Sequence, residues 1–174
     1  MVKRSGGILM YKQAEDGVLH VLIAHMGGPF WAKKDDRGWS MPKGELDGDG
    51  EDTLAVAIRE FEEELGSPPP RGEYIELGEL KQPSGKRITA FALAGDFNSE
   101  NITSNTFELE WPRGSGKIGT YPEIDRAAWL PAAIARVKLV KGQVEFIDRL
   151  IKKLAERGIE VSEGADPDTN GTLF

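Results

Sequence analysis

W-S-M-P-K-G-E-L-D-G-D-G-E-D-T-L-A-V-A-I-R-E-F-E-E-E-L-G-S, running from Trp39 to Ser67, is the stretch on which the fold turns. It opens as a turn-rich loop marked by Gly44, Gly48 and Gly50, then runs without Gly or Pro to Gly66, so the spacing predicts a loop followed by a helix. At about 100° per residue, Leu54, Ile58, Phe61 and Leu65 form one narrow apolar stripe that must face a core. Glu60, Glu63 and Glu64 fall together on a flank about 100° wide. Carboxylates three and four residues apart repel one another, so the helix gains no stability from them by itself. A bound cation would reverse that sign.

Outward from this stretch, hydrophobic runs alternate with turn signals. Ile8 to Tyr11 and His20 to His25 read as two neighbouring strands, and the only histidines, His20 and His25, read as packing or edge residues. Met26 to Asp36 reads as a loop that sets Phe30 and Trp31 beside Lys33 and Lys34, where aromatics and cations could stack a base and steer a phosphate. A solvated loop pinned by one buried aromatic is an equal reading. Beyond the helix, the Pro-rich Ser67 to Arg71 is a spacer, Tyr74 to Lys81 and Arg87 to Leu93 are strands, and Ser84-Gly85 is the turn between them.

Phe107 to Trp111 alternates as a half-buried strand. The following loop holds two nucleotide-motif decoys. Gly114, Gly116 and Gly119 match G-x-G-x-x-G without a helix to follow, and Gly116-Lys117 is succeeded by Ile118 where a Walker loop needs Ser or Thr. Ile124 to Leu130 ends in another aromatic, Trp129, Pro131 opens a short helix, and a last helix from about Gln143 to Arg157 buries Val144, Ile147, Ile151 and Leu154. The expected organisation is one domain over residues 1–158, with a polar, mobile tail over 159–174.

The totals limit the function. A net charge of −7 argues against binding to duplex DNA through its phosphates, but not against a small anion carried in with a metal. The absence of cysteine excludes disulfides, thiolate metal sites and a cysteine nucleophile. The apolar run near the start is too short for a signal core or membrane span, so a cytoplasmic location is expected. A cluster of carboxylates without Cys selects hard cations, Mg²⁺ or Mn²⁺, of the kind that neutralise phosphate oxygens and activate water.

Taken together, these residues resemble the Nudix hydrolases, defined by G-x5-E-x7-R-E-U-x-E-E-x-G-U, with U a bulky aliphatic residue. Glu51 is followed after seven residues by Arg59-Glu60-Phe61-Glu62-Glu63-Glu64-Leu65-Gly66. Three departures stand out: six residues instead of five between Gly44 and Glu51, Phe61 for an aliphatic residue, and Ser67 at the final bulky position. The resemblance implies an α/β/α sandwich with a central mixed sheet and divalent-metal-dependent hydrolysis of a pyrophosphate bond. The implied partner is a small nucleotide-type substrate, foremost a nucleoside triphosphate or a dinucleoside polyphosphate, with no membrane partner.

Carried over by position, Glu60, Glu63 and Glu64, with Gly44, would hold the metals; Arg59 would orient the glutamates and Glu51 support the loop. The base is left open between Glu64 and Glu123, the latter because Y-P-E-I-D-R-A-A-W resembles a metal-facing segment of diadenosine polyphosphate hydrolases. Lys43, Lys86 and Arg87 are candidates for the distal phosphates. The rival function is a non-catalytic nucleotide sensor on the same fold. RNA decapping fits the acidic balance less well, and isoprenoid diphosphate isomerases of this fold use a cysteine that is missing here.

Overall fold

Continuous apolar runs in strands signal a sheet covered on both faces, and the strands here divide their side chains accordingly. The computed structural model describes residues 2–48 and 50–166. In chain order the strands are β1 (Arg4–Gln13), β2 (Leu19–Met26), β3 (Trp39–Ser40), β4 (Lys43–Glu45), β5 (Tyr74–Lys81), β6 (Arg87–Ala94), β7 (Thr106–Glu110), β8 (Ile118–Pro122) and β9 (Ile124–Pro131). The helices are α1 (Thr53–Leu65), α2 (Ala132–Lys138) and α3 (Glu145–Glu156), with a 3-10 turn at Lys141–Gln143.

The main sheet runs β3-β2-β1-β6-β5, with β4 paired to β1 and β9 paired to β2. β1 and β6 are parallel and the other pairs antiparallel, so the sheet is mixed. Side chains alternate across it as the pleat requires. Ile8 and Met10 of β1, Leu22 and Ala24 of β2, and Phe91 and Leu93 of β6 pack with Ala57, Phe61 and Leu65 of α1. Leu9, Val21, Ile23, Ala90 and Ala92 point the other way, into a core with Leu139, Phe146, Ile147, Leu150 and Leu154. Full burial of each large residue contributes about 1.5–3 kcal/mol, which fixes α1 on one face and α3 on the other. This is the expected α/β/α sandwich.

Three short elements depart from the sequence reading. β3 and β4 lie inside what reads as loop, because strands of two and three residues around Pro42 carry no periodic signal. β8 pairs with β7 in a separate two-stranded sheet, and the decoy glycines Gly114 and Gly116, both with positive φ, form the connecting turn. Trp111, expected on a half-buried strand face, is one of the exposed large hydrophobics.

Beyond Gly158 the chain returns to the body: Leu19 N donates to Ser162 O, Ser162 N to Gly17 O and Ala133 N to Glu163 O. Val161 packs on the core and Arg136 binds Glu163 at 2.5 Å, so residues 159–164 make both backbone and side-chain contacts with the body. The rest of that expectation, over 167–174, lies outside the described residues.

Candidate active site

Asp52 starts α1 by accepting a hydrogen bond from Leu54 N at 3.2 Å, a side-chain N-cap. At the other end Gly66 adopts φ 87° and donates to Glu62 O. A Cβ there would stand 2.9 Å from the backbone N and O of Thr103, so Gly66 is required both by φ and by space. Thr103 N and Asn105 N then donate to Leu65 O and Glu63 O, so three of the last four carbonyls of the helix are bonded, Glu62 O included. Asn105 O in turn accepts from Glu123 N, and Glu123 O accepts from Gly27 N. Glu123 is therefore tied to the end of α1 that carries Glu63 and Glu64.

The helix is rotated relative to its simplest apolar wheel. Phe61 and Leu65 are fully buried, Leu54 and Ile58 only partly, and Val56, Ala57 and Glu64 go inside. Glu64 is 8% exposed and its Oε2 is buried without a hydrogen-bond partner. Burial pushes its pKa up to about 8; Glu123 and Glu60 add to the rise, whereas the Lys43 side chain and a backbone hydrogen bond from Lys43 oppose it. Glu60 is raised by burial and then by Glu63, with smaller contributions from Glu123 and Asp47. Burial and Glu63 raise Glu123 as well. Glu63 acts on Glu60 and Glu123, and Glu60 and Glu123 act on Glu64, so the four carboxylates share one field.

β4 supplies the opposite wall. A Cβ on Gly44 would meet Glu60 Cδ at 2.0 Å, so only glycine lets this backbone lie against the carboxylate. The extra residue of the loop is thus accommodated beyond Gly44. Arg59 reaches Glu51 at 3.6 Å and Glu60 at 3.8 Å, and Glu51 accepts from Asp47 N at 2.7 Å. Asp47, beside Glu60, carries no distinguishing sequence signal within its acidic, glycine-rich loop.

Among the described residues no three acidic or histidine side chains converge into a closed metal cage. The donor set nevertheless fits a hard divalent cation: carboxylates with no thiolate, one buried carboxylate oxygen without a partner, and a close-packed glycine backbone.

On the far side of Lys43 and Gly44 a cavity of about 450 Å³ extends towards Trp31, Lys86, Gln82 and Gln143. Lys43 and Lys86 therefore face a common space, but Arg87 does not line it. Arg87 instead binds Glu79 at 3.0 Å. Trp31 lines the cavity, whereas Phe30 is half exposed with Lys34 Nζ 3.8 Å over its ring. Gln82 and Gln143 escape a sequence reading, since isolated glutamines have no spacing to betray them. His25 is packed inside, as expected, with Nδ1 2.9 Å from Asp125 and Nε2 2.6 Å from Lys34 O.

A mixed sheet sandwiched by helices, with a carboxylate-bearing helix facing a glycine strand and a neighbouring cleft, defines an α/β sandwich with an acidic site at one edge of its sheet. The sequence model of the NUDIX domain matches residues 3–150, and the chain belongs to the Nudix family. Family members generally use divalent metal ions.

Solved structures share the fold. The NUDIX domain of Shewanella oneidensis NrtR complexed with ADP ribose has 15% identity and a TM-score of 0.60, over 88% of this chain and 89% of that one. A binary complex of the C. elegans Ap4A hydrolase has 19% identity and a TM-score of 0.58, over 89% and 99%. The MutT protein of Methanosarcina mazei has 16% identity and a TM-score of 0.54, over 87% and 94%. No curated protein sequence matches the chain significantly. No helix among the described residues is long and apolar enough to cross a membrane.

Proposed function

We propose that this chain hydrolyses a pyrophosphate bond in a nucleoside diphosphate-linked substrate, a nucleoside triphosphate or dinucleoside polyphosphate, with Mg²⁺ or Mn²⁺ held by Glu60, Glu63, Glu64 and the backbone of Gly44. The observation that carries this reading is the buried, partnerless Oε2 of Glu64 among like-charged neighbours. A charge buried without compensation is destabilising unless a ligand satisfies it.

A bound divalent cation supplies charge neutralisation at the phosphate oxygens and lowers the pKa of water. The chain's own groups do the rest. Arg59 holds Glu51 and Glu60 in place, and Lys43 with Lys86 receives the phosphates. A carboxylate, Glu64 or Glu123, takes a proton from the attacking water. As the water oxygen bonds to phosphorus, the bridging P–O bond breaks and the electron pair leaves with the departing phosphate. Glu123 is suited to the base role because its raised pKa and its tie to Asn105 place it beside Glu63 without burying it fully.

The test is product identification from a panel of nucleoside triphosphates, dinucleoside polyphosphates and ADP-sugars with Mg²⁺. Parent protein should turn over at least one class, and Glu64→Gln should lose about 10²-fold or more in kcat. Ligand-induced thermal stabilisation without turnover anywhere in the panel would favour a non-catalytic sensor instead.

A further inference from the structure

We propose that Ser104 is the positioning residue for Glu123: its hydroxyl holds the bend that presents the Glu123 carboxylate to the acidic face of α1. This inference deepens the hydrolase reading above and rests on it, since it takes Glu123 to act in catalysis.

The bend lies where two sheets meet. β8 ends at Pro122 in the two-stranded sheet and β9 begins at Ile124 in the main sheet, so Glu123 is the single residue between them. Along an extended strand successive N–H groups point to opposite sides. Glu123 N and Ile124 N instead reach the same short segment: the first donates to Asn105 O at 2.8 Å, the second to Ser104 Oγ at 3.0 Å. The chain therefore turns at Glu123, and residues 104 and 105 hold both sides of the turn.

Ser104 ties these bonds together. Its Oγ accepts from Ile124 N and donates to Asn105 O at 2.9 Å, the same oxygen that receives Glu123 N. A hydroxyl suits this place because it donates and accepts at once. Ile124 is buried, and a buried N–H that loses its acceptor is costly enough to shift the backbone that carries it. A serine serving only its own turn bonds within a few residues, whereas Ser104 reaches a residue 20 positions along the chain.

Both ends of this connection are anchored at the site. Thr103 N and Asn105 N donate to Leu65 O and Glu63 O, so residues 103–105 ride on the end of α1 that bears Glu63 and Glu64. On the other side Gly27 N donates to Glu123 O at 2.8 Å, and a Cβ on Gly27 would stand 2.0 Å from Pro122 O, so the bend is closely packed there too. A reacting group displaced by about 1 Å can lose about 10²-fold in rate, so the side chain that fixes the bend bears on turnover without touching substrate.

A double-mutant cycle of Ser104→Ala and Glu123→Gln tests this, by steady-state kinetics of the full chain with Mg²⁺ on a nucleotide that the parent turns over. Ser104→Ala should lower kcat about tenfold and leave KM within about twofold, and Ser104→Thr, which keeps a hydroxyl, should retain most of the parent's kcat. In the Glu123→Gln background Ser104→Ala should change kcat by less than about twofold. Parental kcat in Ser104→Ala, parental kcat in Glu123→Gln, or an equal loss from Ser104→Ala in both backgrounds would overturn the proposal. Should Ser104→Ala fail to fold, Ser104→Cys, whose thiol is a weak donor and acceptor, takes its place in the cycle. Absence of turnover by the parent would overturn the hydrolase reading and this proposal with it, whereas each of the other contrary results overturns the role of Ser104 alone.

Discussion

Glu64 is a carboxylate at a buried position on α1. Its pKa is raised from about 4.5 to about 8 in the folded protein, so the folded state binds a proton more tightly than the unfolded one. Without metal, the stability that comes from this proton is present below the unfolded value and is lost as pH rises from about 4.5 through about 8. Metal-free protein should therefore melt at lower temperature at pH 8.5 than at pH 5.5, and Glu64→Gln should flatten that dependence. At pH 8.5 the variant should be stabilised by about 1–3 kcal/mol, or several degrees in Tm, while turnover falls. Gly44→Ala makes the complementary case. Its Cβ would collide with the movable end of Glu60, so the fold should survive with Tm nearly unchanged, and kcat should drop at least tenfold at fixed Mg²⁺ as Glu60 swings away.

At the scale of elements, the ends of α1 set the site as much as its middle. Asp52→Ala removes the N-cap hydrogen bond and should cost about 1 kcal/mol in denaturant unfolding. Gly66→Ala should cost more, about 1–3 kcal/mol, because it forces a positive φ on alanine and pushes on Thr103. It should also lower kcat, since segment 103–105 links the helix end to Glu123. α1, β5, β6 and α3 were legible because their lengths give a period room to show. β3, β4 and β8 were not: each is held by pairing to a distant strand, and two to five residues around Pro or Gly display no pattern of their own. The inward turn of Glu64 was hidden for a related reason, because a wheel ranks residues by polarity and takes every glutamate for solvent.

Across the whole molecule, the fixed charges of the box marked the carboxylate-bearing helix, and the family resemblance implied the sandwich. What lay beyond the sequence was the meeting of segments far apart in the chain. Gln82, Gln143 and Trp31 reach one cavity from three elements, and Arg87, adjacent to Lys86, is bound to Glu79. The return of residues 159–164 to β2 and α2 is equally non-local, since a polar, glycine-marked run gives no sign of backbone pairing. Truncation after Gly158 should therefore lower Tm by several degrees, read by thermal unfolding, through loss of those hydrogen bonds and of the Arg136–Glu163 ion pair.

The most direct test of why a carboxylate is buried at position 64 is the Mg²⁺-dependent shift in Tm at pH 8, measured side by side on the parent protein and Glu64→Gln. A large upward shift in the parent, reduced to near zero in the variant, is the predicted result. Equal shifts in both proteins would contradict the assignment of Glu64 as the ligand around which the site is built.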